Sequence, residues 1–231
     1  MIYSSICSTP TTSMNTSRTA QYIHHTEGGD DLIAYMARVS NPDAAIGQPS
    51  AKLIRYLIKH NHWSPFEMCN LCVEIWTTRD ISAQIIRHRS FSFQEFSQRY
   101  APVSRAEVPH YRKQDEKNRQ NSLDTFTDAE QHELELRTAR LFSESYKLYQ
   151  DMLEQGVAKE CARKILPMNS PTRMYMNGTV RSWIHYIDLR SANGTQKEHR
   201  QIANQCRDIF TQCFPQTADA VWGSKENSSP T

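Results

Sequence analysis

The sequence predicts an α/β domain with a small sheet and a helical majority, and three observations carry that prediction. From Met68 the pattern has period two: Leu71, Val73 and Ile75 alternate with Asn70, Cys72 and Glu74, the mark of a half-buried strand. Thr172 to Val180 is rich in strand formers, although Gly178 weakens it. Most other patterned segments have helical spacing, and Thr127-Asp-Ala-Glu130 matches a capping box that opens a long helix.

In chain order, residues 1–19 are rich in Ser and Thr and read as a loosely attached N-terminus. Gly28-Gly-Asp-Asp31 is a turn signal. Leu32, Ile33, Tyr35 and Met36 then predict a short helix that ends near Ser40-Asn-Pro42, where proline stops it. Leu53, Tyr56, Leu57 and His60 predict a helix over 50–60, followed by a loop through Pro65. After the first strand, Ile81 and Ile85 mark one face of a helix over 79–87. Gln84, Arg87 and His88 fall at i, i+3 and i+4 on another face, where all three can address one ligand.

Residues 102–126 are polar and irregular, a surface excursion. In the long helix after Thr127, the residues Leu134, Leu141, Phe142, Leu148, Tyr149 and Met152 turn towards a core or a partner, and Gly156 ends it. A short helix over 159–166 stops at Pro167, and helices over 181–190 and 196–214 follow the second strand. No repeat or linker marks an internal boundary. The chain therefore reads as the N-terminus 1–19, one domain over 20–215 and a polar tail over 216–231.

A chain of 231 residues can bury a full core. With 38% hydrophobic and 23% charged residues it is of the soluble globular class, and no apolar run approaches a membrane span. The first 26 residues contain no acidic residue, yet they hold only Arg18 and no apolar stretch, so a cytoplasmic protein is expected, or one of the host cytoplasm if viral. The six cysteines (7, 69, 72, 161, 206 and 213) are scattered, which predicts free thiols in a reducing compartment. Cys69 and Cys72 have the spacing of a metal or redox pair, but they point to opposite faces of a strand and no second pair follows. Cys161, among Lys159, Arg163 and Lys164, reads as an incidental thiol. His24-His25 and His60-Asn-His62 lack a third ligand at telling spacing, so no metal is expected.

The chemistry concentrates in Arg87 to Tyr100. Arg87, Arg89, Arg99 and Arg105 face the single Glu95, while the whole chain carries only +2. A compact positive cluster on a nearly neutral background fits one small anionic ligand better than a polyanion surface. Guanidinium forks bind phosphate bidentately, and Ser90, Ser92 and Ser97 add hydroxyls. Two readings follow from composition, an exposed basic loop and a nucleotide site. Phe91, Phe93, Phe96 and Tyr100 can likewise be core or base-stacking residues. No Gly-x-Gly-x-x-Gly or Walker sequence occurs, so a bound nucleotide is held by side chains.

The order Arg87-His-Arg89, seven residues, Ser97 resembles the signature of the flavin-dependent thymidylate synthases. The resemblance extends through Ala37-Arg-Val-Ser40, Trp63-Ser-Pro-Phe-Glu67, Ala162-Arg-Lys-Ile-Leu-Pro167 and Asp188-Leu-Arg190, roughly residues 20 to 215. It implies a mostly antiparallel sheet, a homotetramer with sites shared between subunits, and a methyltransferase that makes dTMP from dUMP. The implied carbon donor is 5,10-methylenetetrahydrofolate, with FAD as hydride carrier and NADPH as reductant.

By the same resemblance Gln84, Arg87, Glu95, Ser97, Gln98, Arg99, Arg163 and Arg190 bind dUMP, and Arg190 lies against the uracil ring as the catalytic group. Ser40, His62, Ser64, Glu67, Arg87, His88, Arg89, Glu95, Thr179, Arg181 and His185 are implied for FAD. Met68, Thr179, His185 and Gly194 depart from the family's usual residues, all on the flavin side. The rival readings are an RNA- or single-strand-binding module, which lacks a continuous basic face here, and a degenerate homologue that kept only the fold.

Overall fold

The computed structural model describes residues 18–40 and 49–223. The expected proline stop at Pro42, most of the Ser/Thr-rich N-terminus and the last residues of the tail lie outside them.

Four strands form one antiparallel sheet in the order β1-β2-β6-β3, with β1 Thr19–His25, β2 Asn70–Thr78, β3 Ser92–Glu95 and β6 Pro171–Thr179. A two-residue ladder, β4 Lys113–Gln114 with β5 Ser122–Leu123, decorates the polar excursion. The helices are α1 Gly29–Ala37, α2 Ser50–Lys59, α3 Arg79–Ile85, α4 Asp128–Glu154, α5 Lys159–Ala162, α6 Val180–Ser191, α7 Lys197–Cys213 and α8 Pro215–Ala218.

The alternation in β2 does what period two demands: Leu71, Val73 and Ile75 are wholly buried on one face, in register with Gly178, Met176 and Met174 of β6. That face carries α6 and α7, whose Trp183, Tyr186, Ile187, Ile202, Ala203, Cys206 and Phe210 fill the main core. Trp183 donates from its indole to the Leu71 carbonyl at 2.9 Å, so the ring's one polar atom is satisfied inside the core. Gly178 is a requirement of this packing. A Cβ there would collide with the ring of Phe91, which the absent side chain lets lie flat on β6.

In the four-stranded sheet, two strands escape the sequence patterns. β1 is an edge strand with mostly exposed or half-exposed residues, so no alternation marks it, and β3 is only four residues long. The chain also leaves α3 at Ile85, which puts Arg87 and His88 past its end, in a loop whose direction helical spacing does not set. The polar tail starts later than residue 216: Asp30 accepts from Thr217 Oγ1 at 2.6 Å, and Thr217, Ala218 and Trp222 are buried.

α4 opens with the capping box read from Thr127 and Glu130. It is attached through a small second cluster of Val103, Tyr149 and Ala162, flanked by Phe96, Tyr146 and Ile165. Tyr149 is its one buried residue, while Leu136, Leu141 and Leu148 are 46%, 63% and 48% exposed. Leu141 and Leu148, from the face expected to meet a core or a partner, are therefore left in water within one chain.

Candidate functional site

The end of α3 and the Arg-His-Arg loop face the C-terminal half of α6. Arg190, in the last turn of α6, donates through Nε to His88 Nε2 at 2.8 Å. An arginine has no acceptor, so His88 must offer a bare nitrogen, and its proton resides on Nδ1. Burial, then the charge of Arg190, then His185 bring the His88 pKa down to about 4, which keeps the ring neutral at pH 7. Its other support is the edge-to-face contact with Tyr186 at 4.9 Å. Both terminal nitrogens of Arg190 stay without a partner among the described residues. The result is a guanidinium held by one atom with its fork directed elsewhere.

Arg87 and Arg89 are exposed, and among the described residues neither makes an ion pair or a side-chain hydrogen bond. Beside this loop a groove of about 500 Å³ is lined by Trp63, Glu67, Ser90, Arg181, Ile184 and His185, with Ser182 and Asp188 completing it. Arg181 pairs with Glu67 across it. Thr179 caps α6 by accepting from the Ser182 amide at 3.2 Å. Ser64 begins the 3₁₀ turn Ser64–Glu67, which follows Trp63. His62 is exposed and its ring lies against Tyr56 and His60, and Ser40 is exposed at the edge of the described segment, so neither lines the groove.

The remaining predicted residues form a second group. Glu95, at the end of β3, accepts from Arg79 Nη1 at 2.5 Å and from Thr172 Oγ1 at 3.0 Å. In the turn that follows, Ser97 Oγ accepts from the Arg99 amide at 3.3 Å, and Gln98 is half-buried. Arg99 Nε meets Glu160 of α5 at 3.2 Å, one turn before Arg163. Among the described residues no hydrogen bond, ion pair or ring contact joins this group to Arg190 and His88. Of the four aromatics in the motif, Phe91 is core and Phe93 packs on it, Phe96 packs on the second cluster, and Tyr100 is 85% exposed.

Sequence reasoning missed the residues behind Gln84. Its amide meets Gln196 at 2.7 Å and His199 at 3.3 Å, and His199 meets the Tyr186 hydroxyl at 3.1 Å. His199 is wholly buried, and burial followed by the charges of Arg190 and His88 lowers its pKa to about 3. The signal was present: His199 stands in line with Ile202, Cys206 and Phe210 on the apolar face of α7. The thiols lie elsewhere: Cys69, Cys72 and Cys206 are buried in the core with pKa values raised by that burial, and Cys161 is exposed on α5.

A family model described as "Thymidylate synthase complementing protein" matches residues 21–216. The "Probable flavin-dependent thymidylate synthase" of Paramecium bursaria Chlorella virus 1 is 53% identical over 194 residues, spanning 83% of this chain and 90% of that one. This chain belongs to the flavin-dependent thymidylate synthases. The Synechocystis member of the family is 50% identical over 193 residues, 83% of this chain and 89% of its own. Among solved structures, the UMP/dUMP methylase PolB from Streptomyces cacaoi bound with 5-Br dUMP superposes with a TM-score of 0.79 at 25% identity. It covers 88% of this chain and 94% of that one. The family's helical build around a small antiparallel sheet is thus the fold found here.

Proposed function

We propose that this chain converts dUMP to dTMP, with 5,10-methylenetetrahydrofolate supplying the carbon and NADPH the electrons through FAD. The observation that carries the reading is the Arg190–His88 pair beside two unpaired arginines in the Arg-His-Arg loop. When bound, FAD supplies the hydride that reduces the transferred one-carbon unit to a methyl group. The residues present suit it: Arg87 and Arg89 offer free forks to a diphosphate, and Trp63 and Ile184 give the groove an apolar wall. Glu67, His88, Arg181 and His185 would hold it, with Ser64 and Thr179 close by in sequence to the lining.

C5 of uracil is a poor nucleophile until electron density is pushed onto the ring. Arg190 does this electrostatically, by stabilising the negative charge that develops on the pyrimidine as the N3 proton passes to solvent water. Because His88 is neutral, it fixes the guanidinium without adding a competing positive charge. Gln84 and Arg87 bind the nucleotide from the same side. No thiol among the described residues stands in this site, which favours charge stabilisation over covalent attack by cysteine.

Glu95, Ser97, Gln98, Arg99 and Arg163 complete the nucleotide site from a second subunit of a homotetramer. Their separation from Arg190 within one chain and the exposed leucines of α4 support that assembly. Anaerobic incubation of the purified protein with dUMP, methylenetetrahydrofolate, FAD and NADPH tests the activity: dTMP is expected, dependent on flavin. Formation of dTMP without flavin, or none at all, refutes it. Light scattering tests the assembly, since an active flavin-loaded monomer is incompatible with shared sites.

A further inference from the structure

Gln84 stands at one end of a chain of hydrogen bonds whose other end is a charge. Arg112, from the polar excursion, donates to Glu198 from both terminal nitrogens, at 2.6 and 2.9 Å, and the two side chains are each only 12% exposed. Gln196 Nε2 donates to Glu198 Oε2 at 3.0 Å. Gln84 Nε2 donates to Gln196 Oε1 at 2.7 Å, His199 Nδ1 lies 3.3 Å from Gln84 Oε1, and the Tyr186 hydroxyl lies 3.1 Å from His199 Nε2.

The direction of every link follows from the charged end. Arg112 can only donate and an ionised Glu198 can only accept. Gln196 must therefore turn its NH₂ to Glu198 and its oxygen to Gln84. Gln84 must answer with its own NH₂, which leaves its oxygen to His199. His199 then carries its proton on Nδ1, and its bare Nε2 accepts from Tyr186. Reversing any link sets two donors or two acceptors face to face, which costs more than one lost hydrogen bond because the groups are buried.

We propose that the Arg112–Glu198 ion pair is a positioning device for the nucleotide site: through Gln196 it fixes which end of the Gln84 amide faces the pyrimidine. The inference rests on the nucleotide-binding reading of Gln84. It gives the excursion over 102–126 a task, since Arg112 is also tied to Ser122 Oγ at 2.8 Å and brings that segment to the site. Glu198 is suited to the part. Burial opposes its charge, but the Arg112 hydrogen bonds and charge prevail and hold its pKa down to about 2, so the polarity persists at any working pH.

Glu198→Gln should reverse the chain. Arg112 then takes the oxygen of the new amide, whose NH₂ turns to Gln196, and each amide beyond it flips. Adding Gln196→Glu puts an acceptor-only group next to Gln84 and restores the original direction. Two measurements read this. The first is the ¹⁵N spectrum of histidine-labelled protein, which expects the Nδ1–H tautomer of His199 in the wild type, Nε2–H in Glu198→Gln and Nδ1–H again in the double variant. The second is dUMP affinity by titration calorimetry. Glu198→Gln and Gln84→Ala should each weaken binding about tenfold, the two together no more than Gln84→Ala alone, and Gln196→Glu/Glu198→Gln should recover to within about twofold.

A wild-type Nε2–H tautomer overturns the proposal without any variant. Full additivity of Glu198→Gln with Gln84→Ala also overturns it, by showing a general structural effect. If Gln84→Ala binds dUMP normally while the tautomer still switches, the nucleotide-binding role of Gln84 fails and the positioning role fails with it. If Gln84→Ala weakens binding but Glu198→Gln does not, the positioning role fails alone.

Discussion

Acidification should destabilise this fold through two histidines that the structure holds uncharged. His88 and His199 have folded pKa values of about 4 and about 3, against an ordinary value of 6.5, because burial and the nearby Arg190 disfavour the imidazolium. Between pH 6.5 and these values the unfolded chain binds protons that the folded chain refuses. The stabilisation is therefore complete above pH 6.5 and declines as pH falls. Moving from pH 7 to pH 5 costs about 2 kcal/mol per histidine and about 4 kcal/mol for both.

The carboxylates barely alter this balance. Glu198 is held near 2 against an ordinary value of 4.5, so its contribution is nearly intact at pH 5 and declines as pH falls below about 4.5. The contact of His110 with Asp124 is exposed and solvent-screened. Urea unfolding at fixed protein concentration, followed by circular dichroism, should show an unfolding free energy lower at pH 5 by a few kcal/mol, with the slope against urea unchanged. His199→Gln, which keeps a hydrogen-bonding side chain without the titration, should remove about half of the difference. Equal or greater stability at pH 5 would refute the claim that both rings are neutral because they are buried against Arg190.

Arg190→Ala should lower turnover by about 10²–10³-fold, as expected for loss of a charge-stabilising group, while FAD affinity, measured by fluorescence titration, stays within about twofold; equal loss of flavin would count against a role at the pyrimidine. Gly178→Ala should cost about 1–3 kcal/mol in urea unfolding, because the new methyl must displace Phe91. Thr127→Ala should cost about 1 kcal/mol by removing the cap that accepts from the Glu130 amide, with activity retained because the Thr127 side chain bonds only to Glu130 and lies outside the groove lining.

Legibility differed from element to element for physical reasons. β2, α2, α3, α6 and α7 were readable because their burial is one-sided and regular, and a one-sided environment imprints its period on the residues. The capping box at Thr127 was readable because both partners lie within one turn. β1 was invisible: as an edge strand it has little to hide, and its pairing to β2 is made by backbone groups that every residue carries. The tail was misjudged for the opposite reason, since one tryptophan, Trp222, buried on Phe210 and bonded to Asp188 at 2.8 Å, outweighs the polar residues around it.

What the sequence by itself determined was the material of the site: a histidine flanked by two arginines in Arg87-His88-Arg89, no glycine-rich phosphate loop, and an order of motifs that few families share. The tertiary structure decided which of those groups meet. Arg190 and His88 are 102 residues apart, and Gln84 and His199 are 115 apart. Such pairs obey no local period, because they are joined when α6 and α7 pack onto the sheet, and it is this packing that excludes water and sets the charge of each histidine.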